Sequence, residues 1–476
     1  MRITRLAAFE WRLLTADRTP WLLALVFGGI IAYGAWNGAA WAAFQQSTIA
    51  AVQLEETERL AKLGERLGRL AAGDTTVAAP IAGVLGAQGA TRYAILPPAP
   101  LAPLAVGSSD LYPYYARVSL RSKQSFIVND EIENPHNLLA GRFDLSFAIV
   151  FVYPLLILAL TYNLVSAERE QGTMALLMSQ PTQTRVVLLT KLAVRVGLVV
   201  ALTAVLLCAV VLAVGVDVAA PGAMAGLSLW FAIVLAYGLF WFAAAVAVNA
   251  LGRSSATNAL ALLGVWLLTV VLVPSLYAAA ITTWYPAPSR VALTTELREV
   301  SDRAAAQGDT AVGQFLADHP EMAATGTLSK ANTWGRTVAL QERTNDAMRA
   351  TYTAFDSALA EQQQVAARFR FVSPAMVVQE ALHDVAGRGS ERFRAYDAQL
   401  DTYHRAWQAF FFGRIFAERP FAAQDFAQLP TFTYREAGAG TLARRVFVAL
   451  ALVLIPAILV GLWGTRRLAR VSVIES

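Results

Sequence analysis

The amino-acid sequence predicts a mainly α-helical membrane protein with six transmembrane helices and two extracytoplasmic insertions. The chain has 476 residues, of which 56% are hydrophobic and only 15% charged, whereas soluble domains carry about 25% charged residues. Apolar runs of about 20 residues, the length that a helix needs to cross the hydrocarbon core, recur along the chain. A wholly soluble fold and a disordered chain are therefore both disfavoured.

The first element is an amphipathic segment that precedes the first apolar run. Ile3, Leu6, Leu13 and Leu14 share one helical face, which predicts a helix lying on the membrane before an uncleaved span. The predicted spans cover residues 21–41, 145–165, 196–216, 227–251, 256–280 and 446–463.

The short loops between these spans determine the predicted orientation. The loop between the third and fourth spans carries Asp217 and no basic residue. Basic residues lie before the first span, between the second and third, between the fourth and fifth, and after the sixth. Because short cytoplasmic loops collect arginine and lysine, both termini are predicted to be cytoplasmic. The net charge is +5, and its basic residues lie beside the spans rather than in one basic tract. No nucleic-acid partner is therefore expected.

The spans divide the chain into five predicted segments. Residues 1–41 hold the amphipathic helix and the first span, and residues 145–280 hold spans two to five with a cytoplasmic region at 166–195. Residues 42–144 and 281–445 form the two extracytoplasmic insertions, and 446–476 form the last span and a cytoplasmic tail.

The first insertion is predicted to be a small mixed α/β domain. A leucine stripe at 3-4-3 spacing predicts a helix that ends at Gly73 and Asp74, a proline-rich loop follows, and residues 116–128 have strand character. The stripe consists of Leu60, Leu63, Leu67 and Leu70.

The second insertion is predicted to be a helical bundle standing on the membrane. Periodic patterns indicate helices over 332–369, 374–385 and 391–416, with a break at Ser373-Pro374 because proline starts helices well and interrupts them badly. Its aromatic-rich end has two interpretations, core packing with interfacial anchoring or an apolar surface that contacts a lipid-like or peptide substrate. This end contains Phe410, Phe411, Phe412, Phe416, Phe421, Phe426 and Phe432.

Motifs for the common enzyme chemistries are missing from the sequence. There is no phosphate-binding loop, no G-x-S-x-G, no H-E-x-x-H and no cysteine pair, so the chain is not expected to be an enzyme or to bind ATP itself. The predicted spans carry no mid-bilayer carboxylate, which disfavours coupling to an ion gradient. Lys191 and Arg195, at the start of the third span, are explained by snorkelling to the interface.

One metal-like pattern in the sequence has a simpler interpretation. Glu380-x-x-His383 and Asp401-x-x-His404 resemble half of a di-metal bundle site, which also needs bridging glutamates from two further helices. No such set is evident, and we interpret both pairs as solvated polar faces. No metal ligand is expected in this chain.

The segment between the second and third spans carries the functional prediction. A charged cluster ends the span, glycine breaks the helix, and a short amphipathic helix precedes a proline; the sequence is S-A-E-R-E-Q-G-T-M-A-L-L-M-S-Q-P over residues 166–181. A short helix on the cytoplasmic face that offers Met174, Leu177 and Met178 suits docking into a groove on another protein. An ordinary re-entrant interfacial helix explains the same pattern.

This stretch, E-R-E-x-G-T-x-x-L-L-x-x-x-P followed by Lys191, resembles the signature of ABC-2-type ABC transporter permeases. Residues 133–144, E-N-P-H-N-L-L-A-G-R-F-D, resemble a bacterial subfamily with two large extracytoplasmic insertions. The resemblance implies an inner-membrane location, a cytoplasmic ABC ATPase dimer that binds ATP and Mg, and a second permease subunit, identical or paralogous. It also implies that the ATPase contacts a coupling region, assigned here to Glu168, Arg169, Glu170, Gly172, Thr173 and Leu177.

Two functions remain open at the level of sequence. The chain is expected to be the permease of an ATP-driven exporter. It is expected to contact membrane lipid and to bind no cofactor itself. The alternative is a non-transporting protein that relays ATPase motion to a periplasmic partner. The large size of the two insertions favours this alternative.

Overall fold

The computed structural model describes residues 3–107, 109, 112–121, 143–173, 184–320 and 332–468. Six helices in this part of the chain are long and apolar enough to cross a membrane, and we call them the first to sixth spans. The prediction of a multi-pass helical membrane protein is confirmed at this level. The spans are Thr19–Ala71, Leu145–Glu170, Leu189–Ala213, Ala223–Asn249, Ser255–Trp284 and Gly440–Leu468.

The second and fourth spans form the centre of the helical bundle. Their most apolar stretches are 67% and 61% buried, whereas those of the third and fifth spans are 11% buried. Tyr153, Trp230, Tyr237 and Trp241 fill the centre, and the Tyr237 hydroxyl donates to the carbonyl of Val150 at 3.0 Å. The peripheral spans therefore leave most of their apolar surface for lipid or another protein.

Small residues let the sixth span approach the fourth closely. A Cβ atom placed on Gly464 would lie 2.9 Å from the backbone of Ala247, and one on Gly461 would lie 3.4 Å from the Cβ atom of Ala243. Such small-residue contacts are typical of helix pairs in membranes, where close backbone approach supplies the packing energy.

The first span continues without a break into the first insertion. It is one helix of 53 residues, Thr19–Ala71, about 80 Å long at 1.5 Å per residue. The predicted leucine-stripe helix is therefore not a separate element, because no residue between the two segments breaks the helix. Its predicted end is confirmed, since Gly73 follows with a φ of +85°, a conformation that glycine adopts without strain.

A two-stranded sheet lies in the first insertion. Strands β1 (Arg92–Ile95) and β2 (Tyr115–Val118) pair antiparallel, with Arg92 opposite Val118. The strand predicted over 116–128 ends at Val118 in the structure. Residues 122–128 of the prediction lie outside the described part of the chain. Short helical turns at Ala82–Val84, Leu85–Gly89 and Ala102–Leu104 complete the described insertion.

The helices of the second insertion begin and end largely at the residues that the sequence predicts. Asn332 caps the long helix by accepting a hydrogen bond from the Gly335 amide at 2.8 Å, and Ser373 accepts one from the Met376 amide at 3.4 Å. Both are preferred N-cap residues. The helices are Arg290–Gln307, Asp309–Asp318, Thr333–Arg368, Pro374–Val385, Ser390–Phe416 and Ala423–Ala427.

The aromatic-rich end of the second insertion is the core that it shares with the first insertion. Trp407 donates its indole N–H to the carbonyl of Gly86 at 3.1 Å, and the Tyr396 hydroxyl donates to the carbonyl of Ala94 at 2.9 Å. Phe411, Phe412, Phe416 and Phe421 are buried, and Phe410, Phe426 and Phe432 are partly buried against the same cluster. Core packing is the correct interpretation, and the proposal of an exposed apolar surface here is wrong.

The middle helix of the predicted bundle lies elsewhere. Pro374–Val385 packs its apolar face into the core of the membrane spans, so the prediction of three helices bundled together outside the membrane is wrong for this one. The sequence pattern shows an amphipathic helix but not the surface that covers it. A 12-residue helix is also too short to be recognised as a membrane element from its length.

This helix and the end of the preceding one form a hairpin that descends along the fifth span. The Gln362 amide donates to the carbonyl of Tyr285 at 2.6 Å, and the Tyr277 hydroxyl donates to the carbonyl of Ala366 at 2.9 Å. The Ser373 hydroxyl donates to the carbonyl of Thr269 at 2.6 Å, near the midpoint of the span. We call residues 362–385 the re-entrant hairpin.

Candidate functional site

The predicted coupling segment lies at the end of the second span, on the side of the bundle away from the insertions. After a turn at 162–165, a short helix covers Ser166–Glu170. The Thr173 amide donates to the carbonyl of Glu168 at 2.9 Å, and the Gly172 amide donates to the carbonyl of Arg169 at 3.1 Å. These two bonds, with a φ of +70° at Gly172, form a Schellman motif that ends the helix and turns the chain.

Glu168 belongs to a largely buried cluster with Lys191 and Glu10, which we call the ionic cluster, and the buried guanidinium of Arg195 lies close to Glu10. The Glu168 carboxylate forms an ion pair with the Lys191 ammonium, and the Lys191 Nζ atom lies 3.5 Å from Oε1 of Glu10. The side chains of Lys191 and Glu10 are only 7% and 5% exposed. Three elements meet here, namely the amphipathic helix Ile3–Ala16, the end of the second span and the start of the third.

The ionic cluster corrects the prediction made for Lys191. Snorkelling would place its ammonium in water at the interface, but the structure buries it between two carboxylates. Buried charges need such partners because desolvation is expensive. Lys191 therefore links the amphipathic helix to the coupling segment.

Arg169 and Glu170 connect the same segment to the start of the fifth span. Nη1 of Arg169 donates to the carbonyl of Gly252 at 2.5 Å. The Glu170 carboxylate accepts from the amide of Ser255 at 2.6 Å and from its hydroxyl at 2.8 Å. A carboxylate at a helix N-terminus satisfies donors that lack a partner within the helix and complements the helix dipole.

A buried asparagine holds the turn above this segment in place. Nδ2 of Asn249 donates to the carbonyls of Thr161 and Ala245 at 3.0 and 2.9 Å, and its Oδ1 accepts from the Val165 amide at 3.4 Å. Asn258 donates to the same oxygen at 3.4 Å. Backbone polar groups freed where the second span unwinds are thereby satisfied, as membrane surroundings require.

The exposed part of the coupling segment is small. Glu170, Gln171, Gly172 and Thr173 face solvent, whereas Glu168 and Arg169 are half-buried. Met174, Leu177 and Met178, the apolar residues predicted to dock, lie outside the described residues. The turn is therefore bonded to three other elements, the amphipathic helix, the third span and the start of the fifth span. Its tip is exposed to solvent.

The amphipathic helix lies beside the third span and exposes an apolar face. Glu10 points inward, while Phe9, Trp11 and Leu13 are exposed. An interfacial helix is expected to bury such residues among lipid headgroups. Glu10 lies on the side of the helix that also carries the half-buried Leu6, Ala7 and Leu14.

Sequence reasoning missed Glu10, Asn249 and Ser255. Glu10 did carry a signal, since it is the only acidic residue in the helix Ile3–Ala16 and its burial among apolar and basic neighbours needs a cation. The sequence signal for Asn249 is weaker, since it is only a lone amide side chain at the end of an apolar run. Nothing in the sequence pairs Ser255 with Glu170.

The two metal-like pairs have other partners. Glu380 forms an ion pair with Arg370, and Nε2 of His383 lies 3.0 Å from the Ser146 hydroxyl. Nε2 of His404 lies 2.9 Å from the carbonyl of Arg121. Within the described residues, no group of three or more metal-binding side chains is arranged to hold an ion.

Comparison with known proteins finds one family model that matches part of the chain. A family model described as a domain of unknown function, DUF3526, matches residues 290–435, which is most of the second insertion and includes the re-entrant hairpin. No curated protein and no solved structure matches the chain.

Proposed function

We propose that this chain is the permease subunit of an ATP-driven ABC exporter of the bacterial inner membrane, with both termini in the cytoplasm. A separate ATPase dimer binds ATP and Mg and docks on the exposed turn at Glu170–Thr173. A second permease subunit completes the complex. The E-R-E-x-G-T motif carries this proposal, because its residues form a rigid, exposed turn at the end of a central span.

The connections of the turn support a role in force transmission. Glu168 joins it to the amphipathic helix and the third span through Lys191, and Arg169 and Glu170 join it to the fifth span. A push on the turn therefore acts on several elements together, because charge-assisted hydrogen bonds and packed helices move as units. Closure of the ATPase dimer supplies that push in this account.

The insertions favour a second candidate function, the relay of ATPase motion to an extracytoplasmic partner without transport. The helix Thr19–Ala71 passes from the side of the coupling turn into the insertion core, where Leu63 and Leu67 are buried. A continuous helix of this length transmits displacement across the membrane. The bound molecule distinguishes the two: a lipid-like or peptide substrate favours transport, and a stoichiometric extracytoplasmic protein favours relay.

Purification of the tagged chain from its native membranes in mild detergent tests the proposed function. We expect a separate ATP-hydrolysing subunit to co-purify. After that subunit is removed, the chain should show no saturable ATP binding, because its sequence has no phosphate-binding loop. A preparation without any ATPase, or ATP binding by the isolated chain, would contradict the proposal.

A further inference from the structure

The amphipathic helix lies level with the ends of two spans. Oε1 of Glu10 lies 3.5 Å from Nζ of Lys191, the third residue of the 25-residue third span. The indole N–H of Trp21, the third residue of the first span, donates to the carbonyl of Thr15 at 3.1 Å. A span of that length measures about 38 Å against a hydrocarbon core of about 30 Å, so its ends reach the lipid headgroups. The amphipathic helix therefore lies in the headgroup layer beside the bundle.

Two arginines lie on the side of this helix that faces away from the bundle. A helix turns about 100° per residue, so Arg5 and Arg12 lie about 140° and about 160° around it from the buried Glu10. Both arginines are exposed, and no carboxylate among the described residues pairs with either. The one carboxylate of the helix is turned the other way, into the ionic cluster. The nearby Asp17 carboxylate accepts from the amide and the hydroxyl of Thr19, each at 3.0 Å.

Exposed apolar side chains flank these arginines. Phe9 and Leu13 lie on one flank of the outward side and Trp11 on the other, and all three are about half exposed. Phe9 is four residues after Arg5 and three before Arg12, so it is a neighbour of both arginines on the helix surface. A face that combines apolar side chains with arginines is typical of a helix that lies in the membrane interface.

The charge of this outward face selects among the lipids that can cover it. Lipid surrounds every multi-pass protein, so this neighbour is present whether or not another subunit binds. An anionic headgroup complements the arginines, and each arginine near such a surface strengthens binding about fivefold. In a zwitterionic lipid, the choline or ethanolamine cation competes with the arginines for the same phosphate.

We propose that the outward face of the amphipathic helix is a binding site for anionic phospholipid. The Arg5 and Arg12 guanidinium groups contact the headgroup phosphates, and Phe9 packs beside them against the upper acyl chains. Arginine suits this contact because its planar guanidinium donates two parallel hydrogen bonds to a phosphate. The opposite side of the same helix belongs to the ionic cluster, so one helix connects the bound lipid to the coupling segment. The proposal goes beyond the proposed function and requires neither an ATPase nor a second permease.

Fluorescence quenching by brominated lipid tests this site in the full-length chain. In a Cys208→Ser background, Phe9→Cys is labelled with bimane, and the protein is reconstituted in nanodiscs of phosphatidylglycerol and phosphatidylcholine in equal amounts. One of the two lipids carries brominated acyl chains. We expect the quenching to show a roughly fivefold to 25-fold preference for phosphatidylglycerol beside the label. The preference should disappear at about 1 M salt, where the Debye length is about 3 Å.

Charge variants and a second label position provide the controls. Arg5→Gln combined with Arg12→Gln should remove the preference, so that both lipids quench equally. Arg298→Gln combined with Arg303→Gln should leave it unchanged, because both of these arginines are exposed in the second insertion. Bimane at Leu212→Cys, an 82% exposed position on the third span, should be quenched equally by the two lipids in every variant, which also shows that the variant is inserted.

Equal quenching by the two lipids at Phe9→Cys in the otherwise unchanged chain would overturn the proposal. A preference that survives Arg5→Gln with Arg12→Gln, or an equal loss in the second-insertion control, would do the same. If neither lipid quenched at Phe9→Cys while both quenched at Leu212→Cys, a protein would cover this face and the lipid site would be refuted. These measurements need no ATPase, so their outcome is independent of the test of the proposed function.

Discussion

Lys191→Met is expected to destabilise the protein and to release the amphipathic helix. The substitution leaves the carboxylates of Glu10 and Glu168 facing each other without their shared cation. Removal of one partner from a buried ion pair typically costs about 3 to 5 kcal/mol. We expect a loss of this size in the free energy of unfolding measured by SDS titration, and faster tryptic cleavage after Arg12.

Lys62→Met is the matched control for this variant. Lys62 is exposed on the helix Thr19–Ala71, so its replacement should change the free energy of unfolding by less than about 0.5 kcal/mol. Combining Lys191→Met with Glu168→Gln should restore part of the lost stability, because the carboxylate left without its cation is removed, while the buried Arg195 remains close to Glu10. Wild-type stability of Lys191→Met would show that the ionic cluster does not fasten the helix.

Gly172→Pro is expected to abolish productive contact with the ATPase while the spans remain folded. Proline fixes φ near −65° and has no amide hydrogen, whereas Gly172 has a φ of +70° and donates to Arg169. The turn must therefore unwind, and Thr173 moves. Docking losses of about 2 to 5 kcal/mol are usual when buried contacts are disrupted, which corresponds to at least a tenfold weaker complex.

Gly215→Pro provides the control for backbone strain. Gly215 also has a positive φ, +65°, and ends a helix at the opposite end of the third span, where no ATPase contact is proposed. Both variants should lose similar stability, but only Gly172→Pro should lose the ATPase in a pull-down assay. Equal retention of the ATPase by both variants would make the turn a structural feature alone.

The sequence predicts the membrane spans because bilayer thickness sets both their length and their composition. It also predicts the ends of helices where a local residue decides them, as Gly73 and Ser373 do. The leucine stripe predicts a helix but not its continuity with the first span, because continuity depends on the absence of a breaker rather than on a positive signal.

Tertiary placement accounts for what the sequence could not predict. An amphipathic face at Pro374–Val385 fits a soluble bundle and a membrane crevice equally well, and only long-range contacts select the crevice. The same holds for Lys191, since snorkelling and pairing with Glu10 differ by a contact 181 positions away in the sequence. The proposed coupling residues carry a sequence motif, while their internal partners Gly252 and Ser255 appear only in three dimensions.

Site-specific photocross-linking at the exposed turn tests the central claim most directly. A photoreactive amino acid in place of Gln171, which faces solvent, should form a covalent adduct with an ATP-binding polypeptide in intact cells. The same amino acid in place of Glu299, exposed in the second insertion, should not. An ATPase adduct at Glu299, or none at Gln171 in cells that contain the assembled complex, would contradict the assignment of this turn as the ATPase docking site.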